Sequence, residues 1–311
     1  MIIEFLILAS GLALLYYGSS LLVEGAASTA FMFAVKPVIV GLTIVSLATS
    51  APELLVSLVA AIKGSGGISL GNILGSNVIN IALVLGASAV IQPVRVKRQV
   101  VIIEIPYMIV VSIVFWLLCL DNRVGRLDGV ILLLLLAVFL IYGIMTASDK
   151  TVDPEKPRQR SGKKICRYGI YIILGLIMLA LGADLLVKEA IAMAESIGLS
   201  QTFIGISVVA LGTSLPELAT SVVAAARGES DISVGNVVGS NLFNICLVMG
   251  MVGLLNPLPV DPGLHFFEFP FMVLIGAVLG WIAYAGQGVG KRGGILFISL
   301  FFLYIGISYV K

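Results

Sequence analysis

Long apolar stretches separated by short polar breaks dominate this chain of 311 residues. The apolar positions run continuously instead of alternating, which fits spanning helices and excludes the strands of a membrane barrel. A spanning helix needs roughly 20 mostly apolar residues. The pattern predicts ten such helices, over 2–24, 38–62, 68–91, 99–120, 127–147, 167–190, 202–226, 232–255, 264–286 and 292–310. The longest polar stretch, 148–166, carries nine charged residues and divides the chain near its middle. The first apolar run holds Glu4 instead of a basic start and lacks a small-residue cleavage pattern, so it is read as a permanent helix, not a leader.

The two halves repeat each other at an offset of 164 residues. Residues 41–86 begin GLTIVSLATSAPELLVSLVAA and end GNILGSNVINIALVLG; residues 205–250 begin GISVVALGTSLPELATSVVAA and end GNVVGSNLFNICLVMG. These 46 positions align without a gap, and 25 are identical. The offset also aligns Gly11 and Gly18 with Gly175 and Gly182, Pro93 with Pro257, Glu104 and Pro106 with Glu268 and Pro270, and Gly129 with Gly293. Each half then holds five spans. Because five is odd, the second half enters the membrane from the opposite face. The expected fold is an all-α membrane protein of ten transmembrane helices in two inverted five-helix repeats, 1–147 and 167–311, joined by a linker at 148–166. Inverted repeats place a binding site at their interface near the membrane midplane. A duplicated bundle without transport is the alternative; it does not explain why the repeat keeps polar residues where lipid penalises them.

Composition sharpens this picture. Hydrophobic residues make up 59% of the chain and charged residues 12%, against about a quarter charged in soluble domains. The net charge of +2 gives no electrostatic footprint for nucleic acid. The Lys and Arg residues fall 14 to 5 between the two sets of alternating loops, which predicts cell-membrane residence with 148–166 cytoplasmic and both termini extracellular. Cys119, Cys166 and Cys246 have no metal-ligand spacing, and the lone His265 suggests no role. There is no Ser/His pair, no zinc-helix spacing and no nucleotide loop, so an enzyme and a bound cofactor are not expected.

The chemistry lies within the spans. The second carries Thr49-Ser50-Ala51-Pro52-Glu53 and the seventh Thr213-Ser214-Leu215-Pro216-Glu217. A carboxylate deep in a span costs about 2.5–3.5 kcal/mol on insertion scales, and two at matched depth imply a cation that neutralises both. On one continuous helix Thr49, Ser50 and Glu53 would share a face. Pro52 and Pro216 remove helical donors from the carbonyls of Ala48 and Gly212. Carbonyls freed at membrane depth must be satisfied by protein or by an ion, and Ca2+ takes roughly six to eight such oxygens. Span three adds a polar stripe of Ser69, Asn72, Ser76 and Asn80, repeated in span eight as Ser233, Asn236, Ser240 and Asn244. For Asn72, Asn77, Asn236 and Asn241, interhelical hydrogen bonding and ion contact are balanced readings. For Ser76, Asn80, Ser240 and Asn244, ion contact is favoured. Glu104 and Glu268 recur near span starts, where helix-end placement and gating explain them equally; Glu4, Glu24 and Asp184 are expected to reach the interface.

The paired motifs GTS-x-PE and GN-x-x-GSN resemble the α-repeats of the calcium/cation antiporter superfamily, most closely its prokaryotic-type Na+/Ca2+ exchanger branch. The first copy departs at Ala48, where the motif has Gly. The resemblance implies a secondary active antiporter that exchanges Na+ for Ca2+ by alternating access, with spans one and six sliding across the rest. It implies that Glu53 and Glu217 are the central ligands, that Thr49 and Thr213 offer backbone carbonyls, and that Ser50, Ser76, Ser214 and Ser240 line flanking Na+ sites. Carbonyls of Ser46 and Ala210 would complete those sites, and Asn80 and Asn244 would border the centre. Asn244 stands where potassium-dependent relatives have Asp, so no K+ requirement is expected. The loop 148–166 is too short for a calcium-sensing domain. The expected partners are the lipid bilayer and the ions Na+ and Ca2+, with the monomer as the working unit. The nearest alternative is an H+/Ca2+ antiporter of the same fold; a passive channel is disfavoured because both halves of the site lie in one chain.

Overall fold

The computed structural model describes residues 2–147, 162–196, 207 and 209–310. Most of the linker 148–166 and the start of the seventh expected span lie outside the described residues. The described chain is mostly helical: α1 (Ile2–Phe33), α2 (Pro37–Thr49), α3 (Ala51–Ile62), α4 (Gly66–Ile91), α5 (Val100–Asp121), α6 (Arg126–Thr146), α7 (Gly162–Ser196), α8 (Ala210–Thr213), α9 (Leu215–Ala226), α10 (Ser230–Leu255), α11 (Pro262–Gly286) and α12 (Lys291–Val310). By length and composition, seven helices among the described residues can cross a membrane, or eight if α2 and α3 form one bent span.

Three expectations about the helices change. The helix expected over 2–24 runs on to Phe33, because the small residues Ala26, Ala27 and Ala30 continue it; it stops where Ala34 turns left-handed at φ 55°. The helix expected over 167–190 occupies Gly162–Ser196. At about 1.5 Å per residue both exceed a hydrocarbon core about 30 Å thick. The third change concerns 38–62, which is two helices meeting at 42° across Ser50. Ser50 has ψ 4°, outside the helical range. Pro52 follows it in the first turn of α3, where a missing N–H is tolerated. Ser214 repeats this break, with ψ 4° and Pro216 after it.

The centre consists of α4 and α10. Of each helix's apolar window, 83% is buried, against 44% or less for the other candidate spans. Glycines allow the close crossings that hold α2 and α10 together. A Cβ on Gly235 would lie 2.7 Å from the Val38 carbonyl oxygen and 3.0 Å from the Leu42 nitrogen. The Ser46 hydroxyl donates across the same crossing to the Asn236 carbonyl, 3.1 Å away.

Contacts recur at the repeat offset with partners exchanged. α1 and α7 cross through Gly11 against Gly182 and Gly18 against Gly175, two contacts that the 164-residue offset converts into each other. Two short antiparallel ribbons nearly do the same, one residue out of register on one strand. Val94–Arg95 (β1) pairs with Gly288–Val289 (β4), and Arg123–Val124 (β2) pairs with Leu258–Pro259 (β3). The ribbons lie at opposite ends of α5. Near the first, Lys36 donates to Gln99 at 3.1 Å and Lys97 pairs with Asp231 at 2.5 Å. Near the second, Asn256 donates to the Ala61 carbonyl at 2.5 Å. These two sets of loops are the two sets separated by the alternation of spans.

Gly235→Ala should lower stability by about 1–3 kcal/mol, because its methyl group meets backbone that cannot rotate away. The melting temperature in detergent should fall by several degrees; an unchanged value would contradict so close a crossing.

Candidate functional site

The two helix breaks place their motifs against each other. The Ser50 hydroxyl donates to Glu217 Oε1 at 3.3 Å, and the Ser214 hydroxyl donates to Glu53 Oε1 at 3.2 Å. Each carboxylate of one half is therefore held by a serine of the other. Glu53 and Glu217 are both 0% exposed. They occupy the first turns of α3 and α9, where the positive end of a helix dipole favours an anion by about 0.3–1 kcal/mol, or about 2 kcal/mol when partly buried. That does not offset the cost of burying two carboxylates. Among the described residues no cationic side chain bonds either of them.

The break also separates Thr49, Ser50 and Glu53, which do not share the continuous helix face expected from their spacing. Thr49 closes α2 and donates to Asn236 Oδ1 at 3.1 Å; Thr213 closes α8 and donates to Asn72 Oδ1 at 3.2 Å. Asn72 in turn donates to Ser57 at 3.1 Å, and Asn236 to Ser221 at 3.0 Å. Ser57 and Ser221 were not singled out in the sequence, although they lie four residues after Glu53 and Glu217 and recur at the same offset. These chains tie the broken helices to α4 and α10.

Partnering varies along the polar stripe, where Ser69 Oγ, Ser233 Oγ and Asn77 Oδ1 have no partner. Asn72 and Asn236 use both ends of their amides in interhelical bonds. Asn241 donates to the Asn77 carbonyl at 3.2 Å, and Asn77 donates to the Ile73 carbonyl at 2.7 Å. The residues with the stronger expectation of ion contact behave differently. Ser76 Oγ, Asn80 Oδ1 and both amide atoms of Asn244 are buried without a hydrogen-bond partner, as are Glu53 Oε2 and Glu217 Oε2. Ser240 is engaged, donating to Glu217 Oε1 at 3.4 Å. An unpaired buried polar atom costs about 1–3 kcal/mol. Unpartnered hydroxyl, amide and carboxylate oxygens are the kind of donor that a dehydrated hard cation takes. The described residues hold no group of three or more His, Cys, Asp and Glu, so any ion here must be held largely by hydroxyl, amide and carbonyl oxygens.

Ser46 and Ala210 both lie at the starts of the turns leading into the breaks. The Ser46 hydroxyl also donates to the Gly41 carbonyl at 2.5 Å, a role that the methyl of Ala210 cannot copy. Two π-helical turns adjoin the site, Asn80–Leu85 in α4 and Phe243–Met249 in α10. Such turns shift the side chains that follow them out of α-helical phase. A cavity of about 590 Å3 lies beside the breaks, between Thr49, Pro52, Thr213 and Pro216 on one wall and Leu176, Leu179 and Ala180 of α7 on the other.

The remaining candidates lie apart from this cluster. Glu104 is buried and accepts from Gln99 at 2.8 Å. Glu24 is exposed. Cys119 and Cys246 are buried and Cys166 is exposed, all as free thiols. His265, given no role by the sequence, accepts from the Trp116 indole at 3.2 Å and stacks on Phe269. At the loop end near Lys97, burial and the neighbouring Asp231 push the Glu229 carboxyl above the usual range.

The chain matches a family model described as sodium/calcium exchanger protein over residues 3–145 and 168–310. It is 31% identical to the inner membrane protein YrbG of Escherichia coli, with 99% of this chain and 98% of that protein covered. It is 28% identical to the sodium/calcium exchanger MaX1 of Methanosarcina acetivorans, with 99% of each covered. A structure of the sodium-calcium exchanger NCX_Mj soaked with Na+ and Ca2+ superposes with a TM-score of 0.85 at 32% identity, over 98% of each chain.

Asn72→Ala should cost about 1–3 kcal/mol of stability, since it removes two buried interhelical hydrogen bonds and leaves Thr213 and Ser57 only their backbone acceptors on Ala210 and Ser69. Ser76→Ala, which removes a hydroxyl that bonds no protein atom, should leave the ion-free melting temperature close to that of the parent. Thermal unfolding without Na+ or Ca2+ checks the contrast; equal losses would contradict the division drawn between the two side chains.

Proposed function

The chain belongs to the sodium/calcium exchanger protein family, and from that membership we propose that it exchanges Na+ for Ca2+ by alternating access at the paired site of Glu53 and Glu217. This is a multi-pass membrane antiporter of the prokaryotic-type exchanger branch. In the finer reading, Ca2+ is the substrate of the two carboxylates. One oxygen of each is already engaged by a serine hydroxyl, so Glu53 Oε2 and Glu217 Oε2 are the oxygens most open to the ion. Carbonyls of Thr49 and Thr213 complete its shell, with Asn80 and Asn244 at the border. Na+ takes flanking positions lined by Ser50, Ser76, Ser214 and Ser240 and by the carbonyls of Ser46 and Ala210.

The observation that carries this reading is the set of buried atoms without partners. Ser76 Oγ, Asn80 Oδ1, the Asn244 amide and one oxygen of each glutamate are unpaired, whereas the asparagines one turn away are bonded to protein. Unpaired carboxylate, hydroxyl and amide oxygens of this kind support a ligand that brings positive charge. Because Ca2+ and Na+ compete for the same oxygens, occupation by one excludes the other, and this couples the two fluxes. Without either ion, two uncompensated carboxylates oppose the crossing between outward-facing and inward-facing states. If more than two Na+ replace one Ca2+, net charge moves and each charge is driven by about 2.3 kcal/mol per 100 mV.

The fold proposed is ten transmembrane helices in two inverted repeats. Exchange of the Gly11–Gly182 and Gly18–Gly175 contacts under the offset supports it, as do the two ribbons at opposite ends. α1 and α7, which cross each other through these glycines, are the proposed sliding pair. The 590 Å3 cavity between α7 and the breaks supports a route to the ions along that seam. The loop at 148–166 is assigned to the cytoplasm, both termini to the outside, and the monomer to the working unit. The amide at Asn244 supports exchange without K+.

Ca2+ uptake into vesicles should follow an imposed Na+ gradient, persist without K+, and be absent under a pH gradient alone. Uptake driven by the pH gradient alone would replace this reading with H+/Ca2+ antiport. Glu53→Gln and Glu217→Gln should each lower exchange about a hundredfold or more while the protein stays folded. Normal flux in either variant would remove that carboxylate from the mechanism.

A further inference from the structure

Asn80 can offer an ion its carbonyl oxygen or its amide nitrogen, and the choice decides whether it attracts or repels a cation. We propose that Asn241 makes that choice: it is a positioning residue that fixes the Asn80 amide with its oxygen toward the ion site. The inference rests on the reading of Asn80 as an ion-site residue.

The side-chain amide of Asn241 approaches the backbone carbonyl of Asn77 at 3.2 Å. A backbone carbonyl accepts and never donates, so the nitrogen end of Asn241 must face it. The sulfur of Met108, 3.6 Å from the same nitrogen, is likewise an acceptor. Two acceptors on one side leave the Asn241 oxygen facing the other way, where Asn80 lies 3.0 Å distant. An oxygen there requires a donor, so Asn80 must present its nitrogen to Asn241. Its own oxygen then points away, and that oxygen is buried without a partner. Turning the Asn80 amide over would set two oxygens against each other and aim an NH2 group at the cation.

The arrangement is not copied in the other half. Asn77, the repeat mate of Asn241, donates to the Ile73 carbonyl of its own helix at 2.7 Å. Its oxygen has no partner, and neither amide atom of Asn244, the mate of Asn80, has one. The device therefore polarises one side of the site.

The test uses the full chain in proteoliposomes and reads the Ca2+ KM of Na+-driven uptake. Asn241→Ala should raise the KM about five- to tenfold, because an amide free to turn no longer presents an oxygen. Asp at position 80 has two acceptor oxygens and cannot be misdirected. In an Asn80→Asp background the Asn241→Ala change should therefore shift the KM less than twofold. The nearly isosteric Asn241→Leu serves as the second variant where the alanine form is unstable. An equal shift in both backgrounds, or no shift in the parent, would overturn the orienting role. Normal exchange by Glu53→Gln would overturn the ion site beneath it, a result independent of how Asn241 and Asn80 couple.

Discussion

Two carboxylates buried together, with no cationic side chain bonded to them among the described residues, form the constraint on which this molecule is built. Glu53 and Glu217 are removed from solvent, and each is held by a serine of the opposite half. Those serines and two helix dipoles stabilise the anions in part, against a cost of about 2.5–3.5 kcal/mol for each carboxylate. In the proposed function a mobile cation supplies the rest. A fixed lysine would have satisfied the pair permanently and left nothing to transport.

The surroundings follow from keeping that demand unmet by protein. Both motif helices are interrupted, at Ser50 and Ser214, so that helix starts face the site with N–H groups and helix ends face it with carbonyls. Glycines bring α2 within backbone contact of α10, and the Ser46 hydroxyl ties the two together. Asn72 and Asn236 bond protein through both ends of their amides, whereas Asn77 Oδ1, Asn80 Oδ1 and both amide atoms of Asn244 have no partner.

The sequence displayed the repeat, the carboxylate pair and the polar stripe, because each involves residue types that a lipid-facing helix does not carry. It also favoured Ser76, Asn80, Ser240 and Asn244 over Asn72, Asn77, Asn236 and Asn241 for ion contact; in the structure Ser240 is bonded to Glu217 and Asn77 Oδ1 is unpartnered, so partnering follows that order only for some of them. What remained hidden depends on three-dimensional neighbours. The full bend at Ser50 arises from a serine leaving the helical range one residue before Ala51-Pro52, whereas proline chemistry alone gave an opened turn in one helix. The hydroxyl of Ser46 looked incidental because its mate is Ala210; its partners lie on α10, about 190 residues away. Ser57 and Ser221 stood in the repeat but read as ordinary small residues until Asn72 and Asn236 were found bonded to them. The extra length of α1 and α7 was missed because hydropathy marks the membrane core and not the helix that projects beyond it.

The most direct measurement is anomalous scattering from crystals of this chain soaked in Ca2+ with Na+ removed. The account predicts one strong peak bridging Glu53 and Glu217, within coordination distance of Glu53 Oε2 and Glu217 Oε2, lost when Na+ is restored in excess. A bound Ca2+ elsewhere, with both glutamates unliganded, would contradict it.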